Sequence, residues 1–281
     1  MFTVGNCPPY GRYMKLNNTI RSIAIGSFDG IHIAHQRLIE QAEAIVIIER
    51  NTGYLTPGYK RSLYTSKMCY FYHFDKIKSL SPKAFVAKLK EDFPKLEKIV
   101  VGYDFAFGKE KAGDAAHLSE LFDGKVHIVK EVSIDGISVH SRTIKAYLRH
   151  GEVEMANKLL GRHYRMDGEV VRGQGLGKEK LVPTLNLDVC HYQMPLEGVY
   201  ATWTKIGETW LKSVSFLGHR VTTDGSYAVE THIIDNNIGE INGRVWIAFK
   251  ALIRENRKFE SLEALKVQIA EDIAKAKEEQ P

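Results

Sequence analysis

Long hydrophobic runs are missing from this chain. No apolar stretch approaches the roughly 18 residues that a bilayer span needs, so membrane-spanning classes drop out. The opening segment MFTVGNCPPYGRYMK has neither the basic start nor the apolar core of a secretory signal, and a cytoplasmic location is the expectation. Cysteine is scarce: Cys7, Cys69 and Cys190 stand far apart and form no CxxC pair, which fits reduced thiols and excludes a disulfide framework or a cysteine zinc site. There is no internal repeat, no low-complexity segment and no block of like charges. The formal net charge of +5 is spread over 281 residues. It suits an anionic small substrate such as a nucleotide as well as it suits RNA. A nucleic-acid-binding module stays open on the basic balance alone, but the stripe of basic residues with interleaved aromatics expected of one is absent.

Alternation is what the sequence does have. Residues 20 to 160 switch between strand-like and helix-like signals. SIAIG reads as a buried strand, and Gln36 to Val46 as a helix with Leu38, Ile39, Ala42 and Ile45 on one side. Ser81-Pro82 is a start signal for a helix carrying Phe85, Leu89 and Phe93. KIVVG and KVHIVKEV read as further strands, SRTIKAYLRH and GEVEMANKLLG as short helices. This predicts an α/β domain with a parallel sheet covered on both faces, whose ligands sit at the carboxyl ends of the strands, where Gly26 and Gly102 fall. Beyond Gly161, six short segments rich in Val, Ile, Tyr, Trp and Thr predict a small antiparallel β-barrel. A closing helix has Leu262, Leu265, Ile269 and Ile273 in phase. The boundary is expected near Leu160-Gly161, giving domains 1–160 and 161–281.

Two places carry chemistry. In Gly26-Ser27-Phe28-Asp29-Gly30-Ile31-His32-Ile33-Ala34-His35 a strand, a glycine turn and a helix follow one another. Free N–H groups and the dipole at such a helix start favour an anion, and glycines let backbone approach phosphate. His32 and His35, three residues apart, share a side if the turn is helical and can stabilise charge on a phosphoryl oxygen. By local chemistry alone the same histidines read equally as a helix cap. No third ligand and no HExxH glutamate supports zinc. In the second place, GQGLGK imitates a P-loop, but Arg172 and Glu179 stand where glycine and Ser/Thr are required. Pro183-Thr184-Leu185-Asn186 follows, and in a strand Thr184 and Asn186 share a face with oxygens suited to Mg²⁺.

The first segment resembles the adenylyltransferase domain of bacterial bifunctional riboflavin kinase/FAD synthetases, whose pattern is G-x-F-D-G-x-H-x-G-H-x-x-L. VGYDFAFGKEKAGD (101–114) and GEVEMANKLLGRHY (151–164) are similar to that family's next segments. PTLN resembles the P-T-A-N of its riboflavin kinase domain. PLEGVYA, YAVETHIID and the closing IRENRKFESLEALKVQIAED resemble what comes after it.

The resemblance implies a nucleotidyltransferase-like domain (FMN adenylyltransferase, 1–160) and a riboflavin kinase barrel (161–281). Riboflavin would be phosphorylated to FMN with ATP, and FMN adenylylated to FAD with release of pyrophosphate. It implies that His32 and His35 hold transferring phosphates, with Gly26, Phe28, Asp29, Gly30, Asp104 and Ser141 shaping the nucleotide site. Lys145 stands where the family has arginine, and Arg142 is a possible substitute for it on phosphate. On the kinase side it implies Gly173, Gly177 and Pro183 in the nucleotide loop, Thr184 and Asn186 on Mg²⁺, and Glu230 as the base. Three departures keep a kinase-only alternative open, with a non-catalytic nucleotide-binding first domain: Ala34 for glycine, Lys145, and no recognisable F-x-P-H-P stretch. The expected partners are riboflavin, FMN and ATP, without nucleic acid or membrane; the oligomeric state is not fixed by sequence.

Overall fold

The computed structural model describes residues 19–50, 54–172, 182–220, 225–235 and 239–279. Cys7, Gly173 and Gly177 lie outside these residues. Two compact units emerge from the packing. One comprises residues 1–27, 37–50 and 67–130; the other comprises 28–36, 51–66 and 131–281.

In chain order the first elements are β1 (Ser22–Gly26), α1 (Ile33–Ile39), β2 (Ala44–Glu49), β3 (Met68–His73), α2 (Phe74–Ile77), α3 (Pro82–Asp92) and β4 (Lys98–Gly102). The two-residue strands β5 (Ala106–Phe107) and β6 (Gly113–Asp114), α4 (Ala115–Leu121) and β7 (Lys125–Val129) follow. Five of the strands make a parallel sheet in the order β3-β2-β1-β4-β7. Its central strands are apolar throughout because both faces are covered. Ile23, Ile25, Val46, Ile99 and Val101 share a core with Phe85, Leu89 and Phe93 of the α3 region and Leu118 and Phe122 of the α4 region. As expected, Ser81 caps α3, its hydroxyl accepting from the Ala84 N–H at 3.2 Å. The strand order reverses between β1 and β4, so Gly26 and Gly102 end the two strands beside the switch point.

One expectation fails here. The predicted helix Gln36 to Val46 stops at Ile39, and Ala44–Glu49 is strand β2. The run AIVII is buried or half-buried along its whole length, which suits a two-sided sheet interior rather than one helix face. MCYFYH, also unread as a strand, adds β3 at the sheet edge.

The second unit contains the hairpin β8 (Ser133–Ile134) and β9 (Ile137–Ser138), then α5 (Ser141–Arg149) and α6 (Val153–Leu160). The strands β10 (Tyr164–Val171), β11 (Leu185–Asp188), β12 (Gly198–Ile206), β13 (Thr209–His219), β14 (Tyr227–Ile233) and β15 (Arg244–Glu255) close into an antiparallel barrel, followed by α7 (Leu262–Glu278). The six strands coincide with the six segments read from sequence. Ile144, Leu148, Val153, Leu159 and Leu160 of α5 and α6 share one core with Tyr164, Leu187, Tyr200, Leu217 and Phe249 of the barrel region. Gly161, at φ 72°, ends α6 in the left-handed conformation that favours glycine.

Inside the barrel five hydroxyls replace apolar packing. Thr202, Thr204, Ser213, Ser215 and Thr231 are all fully buried. Thr202 bonds Ser213 and Ser215 at 2.8 and 2.7 Å, Thr204 bonds Ser213 and Thr231 at 2.8 and 3.0 Å, and Ser215 bonds Thr231 at 2.9 Å. Each buried hydroxyl is therefore satisfied within the set.

The closing helix corrects a second expectation. Leu262 is exposed, and the most buried positions of α7 are Gln268, Asp272 and Ala276, flanked by half-buried Leu265, Ile269 and Ile273. A polar stripe is tolerated because it is paired: Arg254 on β15 grips Asp272 with bonds of 3.0 and 2.9 Å, and Gln268 donates to the same carboxylate at 3.0 Å.

Candidate functional site: a histidine loop and an arginine-bridged barrel rim

The loop after β1 is held in an uncommon backbone. Phe28, Gly30 and Ile31 have φ of 48°, 91° and 42°. Positive φ in Phe and Ile is strained by about 1–3 kcal/mol each and persists only where the surroundings fix it. Here both side chains are fully buried. A Cβ at Gly30 would lie 2.8 Å from Leu55 Cδ1, so glycine is required by space as well as by φ. Asp29 Oδ1 accepts the N–H groups of Leu55 and Thr56 at 2.8 and 3.1 Å, while its Oδ2 pairs with Lys145 at 2.7 Å. Ser141 donates to the Asp29 carbonyl at 2.8 Å. Arg162 donates to the carbonyls of Gly30 and Ile31 at 2.5 and 3.1 Å. Phe28, Asp29, Gly30, Ser141 and Lys145 are thus brought together, with Asp29 as a brace of the loop. Arg142 is exposed on the first turn of α5.

His32 and His35 stack with ring centroids 3.5 Å apart, and Phe28 meets the edge of His35 at 5.2 Å. The His35 N–H donates to His32 Nδ1 at 3.3 Å. In neutral His32 the proton therefore sits on Nε2, which becomes the donor. Burial, then the nearby His140 and Arg162, pull the His32 pKa down to about 3. Burial first, then His32, Arg61, Arg162 and His140, pulls His35 well below its ordinary value. Both rings are neutral at pH 7, and among the described residues His35 Nδ1 is buried with no hydrogen-bond partner.

Arg61 and Arg162 were not read from sequence as site residues. Arg61 is fully buried with its guanidinium 4.6 Å over the Tyr54 ring, and Arg162 lies 3.9 Å over Tyr64. Arg162 belongs to the GRHY segment, a signal that points to it, whereas Arg61 belongs to a stretch with no recognisable pattern.

In the other unit, a Cβ at Gly102 would come within 3.1 Å of Asp104 Oδ1, so glycine leaves room for that exposed carboxylate just past β4.

On the barrel, Asn186 of β11 and Glu230 of β14 face each other in register. Arg220 joins them. Its Nε and Nη2 donate to Glu230 Oε1 at 2.8 and 2.6 Å, and Nη2 also donates to Asn186 Oδ1 at 2.8 Å. Its Nη1 donates to Ser226 at 2.8 Å. Pro183 accepts from His232 Nδ1 at 2.8 Å, which fixes the segment carrying Thr184 just before β11. A cavity of about 200 Å³ opens here, lined by Arg172, Asn186, Arg220 and Tyr227 among others. Asn186 Oδ1, a hard, neutral oxygen, keeps one lone pair; Thr184, half-buried two residues earlier, carries the second oxygen of this kind but is not among the residues lining the cavity. Among the described residues no group of three or more His, Cys, Asp or Glu could cage a metal. A hard divalent ion that keeps most of its water fits such a donor set. The sequence reading does not assign Arg220 to the site; it falls in a segment that departs from the family's N-I-G-x-x-P-T-F.

Residues 160–279 match the family model described as riboflavin kinase, and residues 62–143 match the one described as FAD synthetase. A bifunctional riboflavin kinase/FMN adenylyltransferase of Pseudomonas fluorescens is 31% identical over 284 residues, covering 90% of this chain and 91% of that one. The Listeria monocytogenes protein of the same name is 29% identical, with 89% of each chain covered. A crystal structure from Streptococcus pneumoniae, described as a macrolide-efflux protein, has the same fold: its TM-score is 0.83 at 27% identity, over 94% of this chain and 96% of that one. Among the described residues no helix is long and apolar enough to cross a membrane. Matches to both domains favour the bifunctional reading over a kinase alone. With its two halves matched in this order and its length covered from one domain to the other, the chain belongs to the bifunctional riboflavin kinase/FMN adenylyltransferase family.

Proposed function

We propose that this chain makes FAD from riboflavin in two ATP-dependent transfers, with residues 161–281 as the kinase and 1–160 as the adenylyltransferase. The observation that carries the reading is the cross-strand pairing of Asn186, the last residue of the Pro-Thr-Leu-Asn segment, with Glu230 of β14. In the kinase step the ribityl 5′-hydroxyl attacks the γ-phosphorus of ATP, the bond to the ADP oxygen breaks, and Glu230 accepts the hydroxyl proton. Oε1 takes both bonds from Arg220, which leaves Oε2 as the acceptor. Thr184 and Asn186 would hold Mg²⁺, whose chemistry when bound is to neutralise phosphate charge.

In the second step a phosphate oxygen of FMN attacks the α-phosphorus of ATP and pyrophosphate leaves. Neutral His32 donates from Nε2 to a phosphate oxygen as negative charge builds, and Arg61 and Arg162 supply fixed positive charge around the rings. Asp29, Ser141 and Lys145 hold the loop; within the sheet unit, Gly26 and Gly102 end their strands at the switch point, with Asp104 just beyond. A cytoplasmic location, Arg142 on phosphate, and Gly173, Gly177 and Pro183 over the kinase nucleotide belong to the same proposal.

The test is a time course from riboflavin, ATP and Mg²⁺ with flavins resolved. FMN should appear first and FAD after it. FMN without FAD reduces the protein to a kinase; neither product rejects the proposal.

A further inference from the structure

We propose that Arg220 is a positioning residue of the kinase site that stands in for the metal: it aligns Glu230 throughout and gives up Asn186 when the divalent ion arrives. This rests on the kinase reading above. Among the described residues the guanidinium makes two side-chain bonds to Glu230 Oε1, one to Ser226 and one to Asn186 Oδ1. The backbone adds two more: the Arg220 N–H donates to the Ser226 carbonyl at 2.9 Å, and its carbonyl accepts from Gly225 at 3.1 Å. Arg220 is therefore anchored at the base of the β13–β14 connection, and its side chain is only 19% exposed.

The bond to Asn186 is different in kind from the rest. Asn186 Oδ1 is a neutral acceptor and the oxygen that a hard cation would use. A guanidinium and a divalent ion on one amide oxygen repel each other strongly at such separations. Surrendering that one bond leaves the bonds to Glu230 and Ser226 in place. The base keeps its orientation, with Oε2 available, and Asn186 Oδ1 would face the ion without a competing cation beside it. The two cations are thus linked: whatever Arg220 contributes at Asn186, metal binding must overcome, and the weakening is the same in both directions.

The test uses the full-length protein and Mn²⁺ alone, followed by loss of the free-ion EPR signal. The Asn186→Ala variant defines the part of the binding that belongs to the kinase site. Arg220→Gln is expected to bind Mn²⁺ about tenfold more tightly there, within the range of ordinary linked sites. The double variant Arg220→Gln/Asn186→Ala should lose that gain, which separates it from ion uptake by unfolded chain. At saturating Mg²⁺, kcat for FMN formation by Arg220→Gln should fall about tenfold, because Glu230 has lost its aligning partner. Metal affinity that is unchanged or weaker in Arg220→Gln overturns the stand-in role, and an unchanged kcat overturns the positioning role. If Asn186→Ala leaves Mn²⁺ binding as it was, the metal assignment beneath the proposal is wrong and both fall.

Discussion

The histidine loop and the barrel rim handle charge in opposite ways. Around His32 and His35 stand the cations Arg61 and Arg162, seated on tyrosine rings, and burial first, then these cations, keeps the imidazoles neutral. On the barrel rim the cation Arg220 is matched directly by the Glu230 carboxylate. A pocket with surplus positive charge is prepared for a polyanion without help. A rim whose central cation is already paired with a carboxylate suits a metal brought with its polyanion and retains that carboxylate to receive a proton. The contrast therefore reports which chemistry each place can support.

The sharpest way to break this contrast is Glu230→Gln. FMN formation should fall about a thousandfold, in the range general bases supply, while FAD formation from supplied FMN stays near wild type. Equal loss in both assays would erase the division of labour. His32→Gln should do the reverse, lowering FAD formation about a hundredfold and sparing riboflavin phosphorylation.

A third prediction uses stability. Unfolded His32 takes a proton near 6.5, the folded residue only near 3. The unfolded chain therefore binds more protons between those values. The contribution is complete above pH 6.5 and is lost as pH falls toward 3. Urea unfolding should show wild type losing roughly 2 kcal/mol more than His32→Gln between pH 7.5 and 5. No difference would mean that the ring is not held neutral by burial. The smallest effect sharpens the same point: Arg162→Gln, which removes one lesser cause, should recover less than about 1 kcal/mol of that acid loss in the same measurement.

What could be read in advance follows from range. The six barrel segments alternate in texture and are separated by turn residues, so short windows suffice. Ala44–Glu49 failed because a fully buried strand has no alternation to distinguish it from a buried helix face. On α7, periodicity identified the helix but misjudged its face, since buried Asp272 is paired with Arg254, eighteen residues away, as well as with Gln268. The histidines could be found because they are adjacent in sequence. Arg61, Arg162 and Arg220 could not, because each acquires its meaning from residues that the fold brings to it. Packing also divides the chain differently from the functional boundary expected at residue 160: α5 and α6 share the core of the barrel.

The hydroxyl set inside the barrel constrains how this protein can change over time. Thr231, next to Glu230 in sequence, is bonded to both Thr204 and Ser215. Replacing any one of the five by an apolar residue opens the ring and takes one of two ring bonds from each of two buried neighbours, whereas replacing the whole group at once leaves no half-broken set behind. Descendants of this sequence should therefore keep the interior wholly wet-natured or convert it wholesale, with the intermediates culled.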